Sequence, residues 1–223
     1  MEEIRQYHNL MKRQLIQSAT QPGSSVLDVG CGFGGDLQKW AHASVRTLDM
    51  CDPSQEALVE ARVRASKIKG VTPNFYHGDI LSCPSNKKYD IICYNFSLHY
   101  IFESQRLFKN SIRAIKDRLR SGGKLIGVIP DSESVLFCTP FRDSLGNFMI
   151  RKNDTGYGQF GEKLFVHLED TPFYGEGTKS EPIAYKDLLI TELWEQGVFL
   201  QEWKPLEGNP LSEMYSQFIF VRE

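Results

Sequence analysis

Apolar positions along the chain fall into two rhythms, one of strands and one of amphipathic helices. Residues 4–19 read as a helix with Ile4, Tyr7, His8, Met11, Leu15 and Ile16 on its inner face, stopped by Gln21-Pro22-Gly23. Val26 to Val29 is a short apolar run broken only by Asp28, as in a buried strand. Gly30, Gly32, Gly34 and Gly35 then make a turn that no side chain crowds, and from Asp36 the spacing becomes helical, with Leu37 and Trp40 on one face. The second strand covers residues 45–48 and ends in Asp49, and Asp52-Pro53-Ser54 caps a helix over residues 55–68. Residues 73–77 form a third strand, and residues 89–94 a fourth, nearly all apolar as a central parallel strand should be. A helix over residues 103–120 and a Ser121-Gly122-Gly123 turn lead into a fifth strand over residues 124–129.

After Ser132 the rhythm lapses. Residues 148–152 and 159–168 alternate like antiparallel strands on either side of Gly156-Tyr157-Gly158. A helix over residues 185–196 and strands over residues 199–205 and 215–222 complete the chain. The alternation predicts an α/β fold with a doubly wound, mostly parallel sheet, carried by a single domain over residues 1–223. Residues of about 133–180 are a β insertion over the ligand edge of the sheet, and the last strand is antiparallel.

Composition narrows the classes. At 223 residues the chain can bury a full core, and a net charge of −2 gives no global pull toward nucleic acid. Any RNA contact must come from a local patch. The five cysteines show no paired-ligand spacing, so neither a disulfide framework nor a metal site is expected. No stretch is long and apolar enough for a membrane span, and the charged N-terminus does not resemble a signal peptide. An intracellular protein is expected, nuclear or, if viral, cytoplasmic. Residue 1 lies close before the first strand, which suits a domain cut from a longer polypeptide.

The strand, glycine turn and helix make the first half of a nucleotide-binding unit. Asp28 stands where a dinucleotide-binding strand would be apolar, and Asp49, some 20 residues after Gly30, is placed to grip a ribose. Asp79, after the third strand, can accept from an exocyclic amine. Asn9 and Lys12 share a helix face, which also suits a solvated pair. Asn95, Phe96, His99 and Tyr100 leave the carboxyl end of the fourth strand, where open α/β sheets place ligands, although a lone His and Tyr there are commonly structural.

Residues 28–34, Asp-Val-Gly-Cys-Gly-Phe-Gly, resemble the first motif of S-adenosylmethionine (SAM)-dependent methyltransferases. That family folds around a seven-stranded sheet, and its loop faces the methionine part of the cofactor. Further blocks are similar to those of the mRNA cap guanine-N7 methyltransferases. They are Asn-Leu-Met-Lys (9–12), Gly-Gly-Asp-Leu-Gln-Lys-Trp (34–40), Asn-Phe-Ser-Leu-His-Tyr-Ile-Phe-Glu-Ser (95–104), Gly-Val-Ile-Pro-Asp-Ser (127–132), Glu-Pro-Ile-Ala-Tyr (181–185) and Tyr-Ser-Gln-Phe-Ile-Phe (215–220). The resemblance spans nearly the whole chain, and the block around His99 is its most specific part.

The resemblance implies a SAM site made of Lys12, Asp28, Gly30, Gly32, Asp49, Asp79, Asn95 and Phe96. Within it Lys12 would pair with the methionine carboxylate, Asp49 with the ribose and Asp79 with adenine. His99, Tyr100, Glu181 and Tyr215 would line the guanine pocket, and Asn9 and Lys39 would reach the cap ribose and phosphates. The capped 5′ end of mRNA is then the partner, with other capping-enzyme domains or an activating subunit alongside. Two features depart from the family. Phe33 stands where a basic residue is usual, and Leu164-Phe165-Val166 replaces an aromatic-x-aromatic pattern. Compactness and the abrupt start resemble the methyltransferase domains of large DNA-virus capping enzymes. Guanine N7 has a free lone pair, so no general base is expected. Glu181 would accept from guanine N1–H and N2–H₂. The rival readings are a small-molecule methyltransferase, a SAM-fold regulatory subunit and a nicotinamide-dependent oxidoreductase. Asp28 and the antiparallel last strand disfavour the oxidoreductase.

Overall fold

Strand period and helix period sort the apolar residues into two layers on either side of one sheet. The computed structural model describes residues 2–151, 159–168 and 177–223. In chain order, helix α1 (Glu2–Ala19) leads to strand β1 (Ser25–Val29), helix α2 (Leu37–His42), strand β2 (Thr47–Asp52), helix α3 (Gln55–Ala65) and strand β3 (Asn74–His77). Strand β4 (Tyr89–Asn95), a 3-10 turn at Leu98–Glu103, helix α4 (Gln105–Arg118) and strand β5 (Leu119–Pro130) follow. Helix α5 (Ser132–Cys138) opens the insertion, which continues through β6 (Phe141–Arg142), β7 (Phe148–Arg151), β8 (Lys163–His167) and β9 (Lys179–Pro182). Helix α6 (Lys186–Glu195), strand β10 (Val198–Pro205) and strand β11 (Tyr215–Arg222) close the chain.

The main sheet has seven strands in the order β10-β11-β5-β4-β1-β2-β3. Strand β11 runs antiparallel to both of its neighbours, β5 and β10, so it is the one reversed strand. The expected sheet is therefore present, with the last strand wedged inside the edge strand β10.

Alternation within each strand decides what packs where. Val26, Ile91, Cys93, Ile126 and Val128 turn toward Leu15 and Ile16 of α1 and Trp40 of α2. Leu27, Val29, Ile92, Tyr94 and Leu125 turn the other way, toward Phe108, Ile112 and Ile115 of α4 and Leu189 and Leu193 of α6. Gly127 is required where β5 crosses β4, because a Cβ there would fall 2.1 Å from the Tyr94 carbonyl oxygen.

Several predicted bounds move. β2 continues to Asp52, because pairing with β1 and β3 carries it to the end of the sheet. α3 stops at Ala65, three residues short of the expectation, and α4 starts only after Ser104, whose hydroxyl accepts from Leu107 N–H. β5 begins at Leu119, ahead of the predicted turn, and absorbs it as a register shift against β4.

The insertion is a four-stranded antiparallel sheet, β6-β7-β8-β9. Two of its strands were predicted. β9, Lys-Ser-Glu-Pro, carries no alternation and is a strand because β8 pairs with it. Gly156-Tyr157-Gly158 lies outside the described residues. Gly161 N–H donates to the Phe102 carbonyl at 2.9 Å, which ties the insertion to the turn after β4.

Candidate functional site

The glycine turn after β1 sits at the carboxyl edge of the sheet and is pinned by backbone. Gly30 and Cys31 N–H both donate to the Cys51 carbonyl, at 2.8 and 3.0 Å. Gly30 has φ of +72° and comes so close to the segment after β4 that a Cβ would lie 2.4 Å from Ser97 Cβ. Any side chain there would push the two ligand-side segments apart.

The carboxylate that meets this turn is Asp52. Gly32 N–H donates to its Oδ2 at 2.7 Å and Ser54 N–H to its Oδ1 at 2.8 Å. This corrects the assignment of Asp49. Asp49 pairs with Leu27 and Asn74 in mid-sheet and is 1% exposed. Its carboxylate accepts from Tyr89 OH at 2.6 Å, Asn74 Nδ2 at 2.8 Å and Lys87 Nζ at 2.8 Å. A ribose cannot reach it. β2 runs on to Asp52, three residues past Asp49, and ligands bind at the carboxyl ends of strands, so Asp52 stands at the ligand edge. Asp79 lies beyond β3, accepts from Leu81 N–H at 2.8 Å, and follows Gly78, whose N–H donates to the Asp52 carbonyl.

Beneath the turn lies a buried charge cluster built from α1, β1 and α2. Asp36 pairs with Lys12 and Lys39, each at 2.8 Å, and accepts from Asn95 Nδ2 at 2.8 Å. Burial pushes Asp36 upward, but the two ammonium groups outweigh it and hold the carboxyl well below its usual range. Asp28 accepts from Trp40 Nε1 at 2.9 Å, and burial together with the Asp36 charge raises it to about 7. Lys12 and Lys39 are thus the cationic groups beside the glycine turn, held by Asp36 beneath it. Sequence spacing assigns Asp36 no role, because its position between Lys12 and Lys39 arises only when α1 docks on α2.

Lys39 is also corrected. It is 6% exposed, and its ammonium donates to Gly35 O at 2.9 Å and Asn9 Oδ1 at 3.2 Å besides pairing with Asp36. Buried in this way it cannot extend to cap phosphates, and it instead orients Asn9, whose residue is exposed. Burial lowers the Lys39 ammonium, opposed by Asp36.

A second group converges across the edge. Glu181, on β9, is 4% exposed and accepts from Tyr100 OH at 3.3 Å. His99 Nε2 lies 3.2 Å from the other carboxylate oxygen, off the hydrogen-bonding direction. The His99 and Tyr100 ring centroids are 4.2 Å apart. Burial first, then the Glu181 charge, holds the Tyr100 and Tyr215 hydroxyls well above their usual range, so both stay protonated. Tyr215 opens β11 opposite Pro130, and its ring meets Phe96 edge-on with centroids 5.3 Å apart. Phe96 is held at φ of +59°, an uncommon conformation for a bulky residue, with its N–H donating to Val128 O at 2.7 Å. Phe96 thus stands between the two groups, with Lys12 Nζ 5.9 Å from its ring centroid. In β8, Leu164 and Val166 belong to the core and Phe165 is half-buried on the opposite face. Among the described residues no cluster of His, Cys, Asp and Glu is arranged to hold a metal ion, and no helix is long and apolar enough to cross a membrane.

Residues 1–171 match the family model described as the mRNA (guanine-N(7))-methyltransferase domain. Glu181 and Tyr215 lie beyond that span. A relative from Cryptococcus neoformans var. neoformans serotype D (strain B-3501A), named mRNA cap guanine-N(7) methyltransferase, is 33% identical over 195 residues, covering 77% of this chain and 28% of the relative. One of the same name from Schizosaccharomyces pombe is 30% identical over 190 residues, covering 75% of this chain and 53% of the relative. The chain thus spans between about a quarter and about half of these relatives. Among solved structures, a SAM-dependent methyltransferase from Clostridium acetobutylicum has the same fold, with a TM-score of 0.63 at 18% identity, covering 97% of this chain and 90% of that one.

Proposed function

The chain belongs to the mRNA (guanine-N(7))-methyltransferase family, and from that premise we propose that it transfers a methyl group from SAM to N7 of the guanine cap at the 5′ end of RNA. The observation that carries this reading is the gathering of Tyr100 and His99 about the buried Glu181 carboxylate.

The residues at the turn suit SAM. The glycine turn offers backbone without side chains, and a strand-end carboxylate, Asp52, suits a ribose diol. The Lys12 ammonium suits a methionine carboxylate, and Asp28, buried beneath the turn, acts on the adjacent ammonium by its charge and not by contact. Asn95 Oδ1 is a buried acceptor without a protein partner and faces this same cluster through its own amide nitrogen. Asp79 and Phe96 are left for the adenine and adenosine side. When bound, SAM supplies an electrophilic methyl group on a positively charged sulfur.

The chain's own task is then positioning. Guanine N7 carries a free lone pair at neutral pH, so no side chain need remove a proton. Holding two reactants in line can contribute about 7–11 kcal/mol. Glu181 accepts from guanine N1–H and N2–H₂, an edge adenine lacks, and its negative charge favours the guanine ring as that ring becomes cationic. The protonated Tyr100 and Tyr215 hydroxyls donate without competing for those protons. Phe96 separates the two ligands while letting both reach the same gap. The RNA beyond the cap is met by local surface only, in keeping with the net charge of −2.

Incubation with labelled SAM and GpppA-capped, ApppA-capped or uncapped RNA tests the reading. Label confined to GpppA-capped RNA supports it. Label on a small molecule alone would show the guanine assignment to be wrong.

A further inference from the structure

α1 is stapled to the loop between β10 and β11 at a place that none of the roles above explains. His8, half-buried on α1, has Nε2 2.9 Å from the hydroxyl oxygen of Ser212. From the adjacent residue of α1, Tyr7 OH accepts from Glu207 N–H at 2.9 Å. The His8 ring also packs between two ligand-side rings, 5.4 Å from Phe96 and 5.6 Å from Tyr215 between centroids.

The direction of the His8–Ser212 bond can be worked out. Ser212 N–H donates to Asn209 Oδ1 at 2.9 Å, which fixes the amide so that Asn209 Nδ2 donates to Ser212 Oγ at 2.8 Å. Ser212 is fully buried, so its own hydroxyl proton needs an acceptor. Of its two side-chain partners only His8 can supply one, through an unprotonated Nε2. Burial, reinforced by Lys12, pushes the His8 imidazole down to about 4, so the ring is neutral and Nε2 remains an acceptor at ordinary pH.

We propose that His8 is a positioning residue for guanine: by accepting from Ser212 and packing against Tyr215 and Phe96, it fixes the start of β11 and holds the Tyr215 ring at the guanine side. The link is short. Ser212 begins the 3-10 turn Ser212–Met214, and Tyr215 is the next residue. Leu206 N–H donates to the Tyr215 carbonyl at 2.8 Å, so the loop closes on the same residue from its other end. A loop free of α1 would let Tyr215 move away from Phe96. The same helix carries Lys12, so one rigid element spans the cofactor side and the guanine side. This inference rests on the reading of Tyr215 as a guanine-side residue.

The test measures methyl transfer kinetics on GpppA-capped RNA for the parent, His8→Phe, Ser212→Ala and the double variant. His8→Phe keeps a ring but loses the acceptor, and His8→Gln offers an amide oxygen in its place. The expected result is a rise in KM for capped RNA of about fivefold or more in His8→Phe, with kcat and S-adenosylhomocysteine affinity within about threefold of the parent. Ser212→Ala should raise KM similarly, the double variant should be no worse than either single one, and His8→Gln should recover part of the loss. An unchanged KM in His8→Phe, or effects that add in the double variant, overturns the proposal. So does a large loss of melting temperature together with S-adenosylhomocysteine binding in both His8 variants, since that is what a purely structural role produces. A parent that binds S-adenosylhomocysteine but does not methylate capped RNA defeats the functional reading, and this inference with it. Parent activity with unaltered variants defeats this inference alone.

Discussion

At the scale of single residues, two aspartates three positions apart on β2 have opposite fates. Asp52 meets the glycine turn, and Asp49 is consumed inside the sheet by Tyr89, Asn74 and Lys87. Asp52→Ala should weaken S-adenosylhomocysteine binding at least about tenfold, or 1.4 kcal/mol, in calorimetry. Asp49→Ala should instead cost about 1–3 kcal/mol of stability, by stranding buried donors, and leave binding by the folded protein unchanged. Equal binding losses in the two variants would restore Asp49 to the site. Asp28 has a pH signature of its own. Its carboxyl is raised from 3.8 to about 7, so the folded state holds the proton more tightly than the unfolded chain. Its contribution to stability is therefore fullest at low pH and falls as pH rises toward about 7. A ligand ammonium favours the ionised form, so binding releases that proton. S-adenosylhomocysteine affinity should rise between about pH 6 and 7.5, and Asp28→Asn should flatten the rise while binding more weakly. A flat profile in the parent would remove Asp28 from the ammonium site.

At the scale of elements, close packing and pairing set the limits. β5 passes β4 only because Gly127 has no side chain, so Gly127→Ala should destabilise by about 3 kcal/mol or more. Gly35→Ala, with nothing within 4 Å of its Cβ, should stay within about 0.5 kcal/mol. Urea melts of the two variants check this, and similar midpoints would contradict the packing. The sheet strands were legible because period-2 alternation and buried apolar runs are local signals, and β1, β4 and β11 fall close to where they mark them. β9 was not legible as a strand. Its Ser-Glu-Pro offers no periodicity, and its pairing partner lies in β8, so only the folded insertion defines it. The same distinction divides the site. Glycines, Glu181, His99 and Tyr100 are marked as candidates by short blocks, and the fold gathers His99 and Tyr100 about Glu181, whereas the Lys12–Asp36–Lys39 cluster depends on the docking of α1 on α2. Lys39 is turned inward by that docking and not toward a phosphate. A lysine midway along a short helix reads as solvent-facing until a buried acid is found opposite.

At the scale of the whole molecule, one sheet edge carries two groups of different make-up. The glycine-turn side holds Lys12 and Lys39 paired to Asp36, with Asp52 on the turn itself, and the insertion side holds the buried Glu181 carboxyl beside Tyr100. The insertion is therefore more than a cover: β9 sets the Glu181 carboxyl beside Tyr100 and His99, which come from the segment after β4. A net charge of −2 gives no global pull toward RNA, so the proposed function places recognition on the cap. The most direct test is the methyl transfer rate on GpppA-capped against ApppA-capped RNA for the parent and Glu181→Gln, with melting temperature and S-adenosylhomocysteine affinity followed alongside. The account predicts label at guanine N7 for the parent on GpppA alone. It predicts a loss of about 30- to 150-fold in Glu181→Gln, equivalent to 2–3 kcal/mol, with folding and cofactor affinity retained. A parent that labels both caps equally, or a Glu181→Gln variant with near-parent rate and preference, would contradict it.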